Sequence, residues 1–359
     1  MIPTLLVCCK NLDSHLPQMA LAALRSFGFS SRIPRNRSTS TTSTHSPQRR
    51  SISLSSYLVT PKELNDALKK NVRTKISTSP RVIPLCATWF MPNDPAKRTG
   101  IEAFKKCRIP HARFFDIDAV KDHDSPYPHM LPSKESFQEA MQSLGICRDD
   151  QIVVYDSEEV GLFSAPRVGW TLRVFGHSNV HVLNNFKIWV QEGYPTESGD
   201  VSPEERSNYT VGDFNPRMVV HFTEMKEIAE SHGKESSEGI HILDARSAGR
   251  FTGKDNEPRP GLPSGHMPGS TNLPFSELLD ANTKALLPAS ELRKIFEARG
   301  INPAEPTVSS CGTGVTAAII ELALKEADDT APGNRRIYDG SWTEWAQRVT
   351  EASGLIQKS

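Results

Sequence analysis

The sequence predicts an α/β protein made of two tandem copies of one unit. Each copy is a mainly parallel sheet flanked by helices, and both follow an N-terminal leader that builds no core. Three observations predict this. Four sequence blocks recur at a nearly constant spacing. Inside each copy, short β-branched runs alternate with helix-period runs. The first 56 residues have a composition unlike the rest.

Residues 1–56 hold one acid, Asp13, against seven bases: Lys10, Arg25, Arg32, Arg35, Arg37, Arg49 and Arg50. Ser38 to Ser46 reads STSTTSTHS, a low-complexity stretch with nothing to bury. An Arg-rich, Ser-rich, acid-poor N-terminus is the composition of an organelle transit peptide, so the expected location is the mitochondrion, with the cytoplasm as a second site. The segment from Met19, MALAALRSFGFSSRIPRNR, reads as the cleaner presequence and makes Met19 a candidate alternative start.

The expected first unit spans 57–192 and the second 216–352, with a Pro- and Gly-rich linker at 193–215. VIPLCATWF from Val82 matches IHILDARSAGRF from Ile240. RIPHARFFDID from Arg108 matches GHMPGSTNLPF from Gly265. QIVVYDSEEVG from Gln151 matches PTVSSCGTGV from Pro306, and LNNFKIWV from Leu183 matches DGSWTEWA from Asp339. The offsets stay between 155 and 158 residues, which argues for a duplicated domain. QIVVYD and PTVSS read as buried strands. Val315, Ala318, Ile319, Leu322 and Ala323 fall at i, i+3, i+4, i+7 and i+8, one face of a helix. Strand–helix alternation places active groups at strand C-termini.

Lys+Arg and Asp+Glu both total 42, which gives no sign of a nucleic-acid or membrane-surface partner. No apolar run is long enough to span a bilayer. The six cysteines, Cys8, Cys9, Cys86, Cys107, Cys147 and Cys311, show no CxxC pairing, so neither a metal site nor a disulfide framework is expected.

Cys311 sits in TVSSCGTGVTAA, on the corner between a strand end and a helix start. Successive backbone N–H groups in such a turn form a nest for an anion, and a thiol is nucleophilic as its thiolate. Gly312 and Gly314 keep the turn open. A cysteine phosphatase would need an arginine six positions after its nucleophile, but Ala317 stands there and Arg335 is the first arginine beyond Cys311. Sulfur transfer through a persulfide has no such requirement.

CGTGVTA, DGSWTEW, GHMPGSTNLPF, DARSAGRF and EPRPG together resemble the catalytic half of a tandem-rhodanese sulfurtransferase. FFDIDAVKDHDSPYPHMLPS and GLFSAPRVGW resemble its inactive first half. The position matching Cys311 in the first copy is Asp156, which implies a silent unit. The neutral Gly312 and Thr313 after the cysteine resemble the 3-mercaptopyruvate type; the thiosulfate type carries basic residues there.

The resemblance implies that Arg250 and Arg259 hold the donor, with the loop residues Gly312, Gly314 and Val315. It also implies that Asp118, His129 and Thr313 handle protons. It implies a thiol acceptor such as thioredoxin or a sulfur-carrier protein, and no metal or organic cofactor. The alternatives are a thiosulfate:cyanide sulfurtransferase and a relay protein for tRNA thiolation.

Overall fold

The computed structural model describes residues 54–71, 80–234 and 239–359; the predicted leader lies outside the described residues as far as position 53. The first sheet contains β1 (Leu58–Val59), β2 (Val82–Cys86), β3 (Arg113–Phe114), β4 (Gln151–Tyr155) and β5 (Val180–Leu183). The second contains β6 (Val219–Val220), β7 (His241–Asp244), β8 (Ser270–Asn272), β9 (Thr307–Ser310) and β10 (Arg335–Tyr338). Every strand pair is parallel. The orders are β1-β5-β4-β2-β3 and β6-β10-β9-β7-β8, so β6 to β10 occupy the places of β1 to β5 one for one. The repeat seen in the sequence is therefore a repeat of topology.

The helices of the first half are α1 (Pro61–Leu68), α2 (Gly100–Lys106), α3 (Lys134–Ser143), α4 (Ala165–Val174) and α5 (Phe186–Gln191). Those of the second are α6 (Phe222–Ser231), α7 (Ala248–Thr252), α8 (Ala289–Glu297), α9 (Ala317–Ala327) and α10 (Ser341–Arg348). Local chemistry fixes their starts. Thr60 with Glu63, and Thr99 with Glu102, form reciprocal capping boxes at α1 and α2. The central strands β4 and β9 are buried on both faces, as parallel strands covered by helices must be. That explains why QIVVY is a near-continuous apolar run rather than an alternating one.

The helices that follow β4 and β9 occupy equivalent positions, and α4 packs on α9 where the halves meet. Both are buried around most of their circumference. Fully burying an Ile or Leu side chain contributes roughly 1.5–3 kcal/mol, and Ile319, Ile320, Leu322 and Leu324 of α9 are all at 0 % exposure. The buried Glu321 of α9 accepts from Arg173 Nη1 of α4 at 3.1 and 3.2 Å.

Three details differ from the expectations. Helix α9 starts at Ala317, so Val315 belongs to the preceding loop, although it still packs into the core at 2 % exposure. The stretch 193–215 is an ordered strap on the first half. Glu197 bridges to Arg108, Tyr209 is fully buried and the Asn215 amide donates to the Val174 carbonyl. Its proline and glycine content signalled the absence of helix and strand, not the absence of packing. Finally, the chain beyond 352 is part of the second half. Leu355 and Ile356 are buried, and the His266 and Gln357 backbones exchange hydrogen bonds.

The halves also exchange loops. The segment 283–286 of the second half reaches the first, where Leu162 donates to the Lys284 carbonyl and Asn184 pairs with the Leu286 backbone in both directions. The first half returns a segment around residues 118–131, which reaches the loop after β9.

Candidate active site

Cys311 is the residue after β9, at the C-terminal edge of the second sheet. Its backbone is fixed by the turn and helix that follow β10. The Cys311 amide donates to Ser341 Oγ at 3.2 Å, and Ser341 Oγ donates to the Tyr338 carbonyl at 2.9 Å. The Trp342 amide donates to the Cys311 carbonyl at 2.9 Å and the Thr343 amide to the Gly312 carbonyl at 3.0 Å; Thr343 Oγ1 adds a bond to that carbonyl at 2.7 Å. The orphan donors at the start of α10 are thus spent on the cysteine loop. Ser341 adopts a left-handed φ of 49°, a strained conformation for a serine, to do this.

The Cys311 and Gly312 carbonyls are therefore held while the amides after Cys311 are left open. The amides of residues 312 to 316 make no hydrogen bond among the described residues. This is the backbone arrangement expected of an anion nest at the head of a helix. Cys311 is only 2 % exposed and belongs to the buried core, more deeply set than an open sheet end implies. Among the other described cysteines, burial pushes the Cys86 thiol up to about 12 and also raises Cys107 and Cys147.

The first half brings Asp118 and His129, which the sequence led one to expect as proton-handling groups, up to the loop. His129 Nδ1 lies 3.0 Å from Thr313 Oγ1, and His129 Nε2 lies 3.1 Å from Asp118 Oδ1. Because the carboxylate accepts from Nε2–H, Nδ1 is the acceptor and the Thr313 hydroxyl donates to it. Burial holds the His129 imidazole below its ordinary range, with Asp118 opposing that effect. The bond from His129 holds Asp118 below the usual carboxylate range.

Trp89 completes this arm. Its indole N–H donates to Asp118 Oδ2 at 2.8 Å and its ring meets His129 edge-on at 4.7 Å. His129 has φ 61° and His111, in the RIPHA turn, has φ 60°, so each takes a left-handed conformation that more often falls to glycine.

The two predicted arginines have different surroundings. Arg250 is committed inside the protein: Nε donates to Glu257 Oε1 at 3.1 Å and Nη2 to Glu257 Oε2 at 2.6 Å. Glu257 is also gripped by the fully buried Arg246, whose Nη1 donates to it at 2.8 Å. Arg250 is thereby aimed at the loop, where its Nη2 would stand 3.2 Å from a Cβ added to Gly312. Arg259 has no hydrogen bond or ion pair among the described residues. It is half-buried, which lowers its affinity for a proton, and the adjacent Cys311 opposes that effect. Glu257, Arg246, Ser341, Trp89 and Asp339 were not singled out from the sequence. Glu257 stands two residues before Arg259 in EPRPG, which was the available signal.

The equivalent site in the first half is closed from within. Asp156 Oδ2 accepts from the Phe163 and Ala165 amides at 2.8 Å each, and Ser164 Oγ donates to Oδ1 at 2.6 Å. An internal carboxylate thus fills the head of α4, where the second half leaves its amides free. Burial raises the Asp156 carboxyl to about 6.

A rhodanese-like domain model matches residues 226–348. Thiosulfate sulfurtransferase TUM1 of Saccharomyces cerevisiae is 43 % identical over 277 residues, covering 74 % of this chain and 88 % of that protein. Thiosulfate/3-mercaptopyruvate sulfurtransferase 1, mitochondrial, of Arabidopsis thaliana is 40 % identical over 282 residues, covering 73 % of this chain and 71 % of its own. The crystal structure of Escherichia coli SseA, described as showing the rhodanese fold of 3-mercaptopyruvate sulfotransferases, matches with a TM-score of 0.67 at 35 % identity. It covers 80 % of this chain and 99 % of that one. With its duplicated sheet, its cysteine loop and these relatives, the chain belongs to the tandem-rhodanese family of thiosulfate and 3-mercaptopyruvate sulfurtransferases.

Proposed function

We propose that this sulfurtransferase takes sulfur from 3-mercaptopyruvate through a persulfide on Cys311 and delivers it to a thiol or to cyanide, releasing pyruvate. The observation that carries the reading is one convergence. A cysteine with open amides after it meets a His–Asp pair from the other half through Thr313, beside an arginine with a free fork.

Arg259 grips the donor carboxylate, since a planar guanidinium matches it by two charge-assisted bonds. Arg250, locked by Glu257, supplies fixed positive charge at the loop rather than a second free fork. The Cys311 thiolate attacks the donor sulfur and an S–S bond forms. The C–S bond breaks, and its electron pair leaves as the pyruvate enolate. The loop amides 312 to 316, with those of Gly312, Gly314 and Val315 among them, face the developing negative charge. The outer sulfur of the new persulfide gives up the donor's S–H proton through the Thr313 hydroxyl to His129 Nδ1, the same path returns it to the enolate carbon, and Asp118 with Trp89 holds the imidazole in the required tautomer. In the second half-reaction an acceptor thiolate takes the outer sulfur and Cys311 returns as thiolate.

Neutral Gly312 and Thr313 fit a carboxylate donor better than the dianion thiosulfate. The relatives' names include both donors, so the deciding experiment is kcat/KM for each, with pyruvate release as readout. A preference for 3-mercaptopyruvate is expected, and a preference for thiosulfate overturns the donor assignment. The basic, acid-poor leader and the mitochondrial relative support import into mitochondria. N-terminal sequencing of the organelle-borne protein tests this: a mature chain that retains Met1 contradicts it.

A further inference from the structure

The motif SAPRVGW in the first half has no role in the scheme above, yet its arginine reaches the active loop. Arg167 is 3 % exposed and its partner Asp339, the residue before the turn that holds Cys311, is 2 % exposed. Arg167 Nη2 donates to Asp339 Oδ1 at 2.5 Å and to the His129 carbonyl at 2.6 Å. Asp339 Oδ2 accepts the Leu131 amide at 2.9 Å. Arg167 Nη1 is buried with no hydrogen bond and packs against Gly314, where an added Cβ would come within 2.8 Å of it.

We infer that Arg167 and Asp339 form an interdomain clamp that positions His129 against Thr313, so that the silent half sets the geometry of proton transfer in the active half. The inference rests on the proton-handling reading given above. The pair ties three places together: the His129–Leu131 backbone, the turn that runs from Asp339 to Ser341, and the cysteine loop at Gly314. His129 sits in a left-handed conformation, and the guanidinium holds its carbonyl directly. A buried ion pair is weak evidence of stabilisation by itself, because desolvating both charges offsets their attraction. Its place between the His129–Leu131 segment and the turn at Asp339 points to positioning. Arg167 is a positioning residue: it touches His129 and the loop, not the donor.

The test uses the full-length protein with Arg167→Met, Arg167→Lys, Asp339→Asn and His129→Gln. Readouts are kcat and KM with 3-mercaptopyruvate, the acid limb of the pH profile, and the His129 ring titration by NMR, assigned with His129→Gln. Arg167→Met is expected to lower kcat on the order of 10²-fold, the effect of a misplaced catalytic group, with KM little changed. Arg167→Lys is expected to retain more activity, since one nitrogen, Nη2, makes both bonds.

The charged groups facing His129 are Asp118, Arg167 and Arg259, with Asp339 behind Arg167. Losing the Arg167 cation should move the His129 titration up. Losing the Asp339 charge leaves that cation unneutralised and should move it down. Lowered kcat in both, beside the opposite displacements that the charges alone produce, supports the clamp; a purely structural pair would leave kcat unchanged. If Arg167→Met yields no folded protein, Asp339→Asn reads the same quantities. Unchanged kcat in Asp339→Asn, with only a lower Tm, overturns the proposal. Wild-type turnover in His129→Gln overturns the reading beneath it instead.

Discussion

Gly314 carries the most demanding backbone position in the active loop, and replacing it by alanine tests the loop's construction. Its φ is +77°, in the left-handed region. An added Cβ would lie 2.8 Å from Arg167 Nη1 and 2.9 Å from the Asp339 carbonyl oxygen. The first obstacle belongs to a clamped side chain and the second to backbone, so neither yields easily. The left-handed conformation costs a non-glycine residue roughly 1–2 kcal/mol, and overpacking typically adds about 1–3 kcal/mol. Gly314→Ala should therefore lose roughly 2–5 kcal/mol of stability.

Relaxation of that clash moves Thr313 from His129, which should lower kcat on the order of 10²-fold. Gly312→Ala is the internal control. Its Cβ meets only the far end of Arg250 at 3.2 Å, and its φ lies outside the left-handed region. That variant should change stability by less than about 1 kcal/mol. Denaturant unfolding and pyruvate release measure both. Equal effects at the two glycines, or a fully stable and active Gly314→Ala, refute the reasoning.

Other expectations follow from the same site. His129→Gln should lower kcat/KM by about 10²–10⁴-fold, the usual contribution of general acid–base catalysis. Because burial lowers the His129 pKa, the imidazole stays neutral in the folded protein over a range where it is charged when unfolded. Its contribution to stability is present above about 6.5 and falls as pH drops toward the folded value, so acid titration of Tm should differ between wild type and His129→Gln in that window. Arg259→Met should raise KM for 3-mercaptopyruvate about tenfold or more, the loss of a charge-assisted bond, and leave Tm unchanged because the fork has no internal partner.

Asp156 has the opposite sign. Its folded pKa is raised to about 6, so its favourable contribution is full below 3.8 and is lost as pH rises through about 6. Asp156→Asn should flatten that decline, worth about 3 kcal/mol for a shift of this size, as read from urea unfolding at several pH values.

The reach of the sequence follows from the range of each interaction. The duplication was legible because equal offsets need no three-dimensional information, and the two identical strand orders carry it. Cys311 was legible because strand, thiol, glycines and helix are contiguous. Asp118, His129 and Thr313 come together in space, yet only resemblance linked them, since 184 residues separate His129 from Thr313. The Arg167–Asp339 pair spans 172 residues and leaves no local trace. A buried arginine also reads, in one dimension, like any surface charge. The capture of Arg250 by Glu257 was missed for a different reason: a seven-residue spacing across a turn fixes no geometry until the fold brings the groups together. The strap at 193–215 misled because proline and glycine report conformation and say nothing of burial.

The most direct measurement is the mass of the Cys311 peptide after brief exposure of the full-length protein to 3-mercaptopyruvate without acceptor. One additional sulfur on Cys311, matched in amount by released pyruvate and absent in Cys311→Ser, is the predicted result. Pyruvate released at the wild-type rate by Cys311→Ser, or the added sulfur found on Cys86, Cys107 or Cys147 instead, contradicts the account.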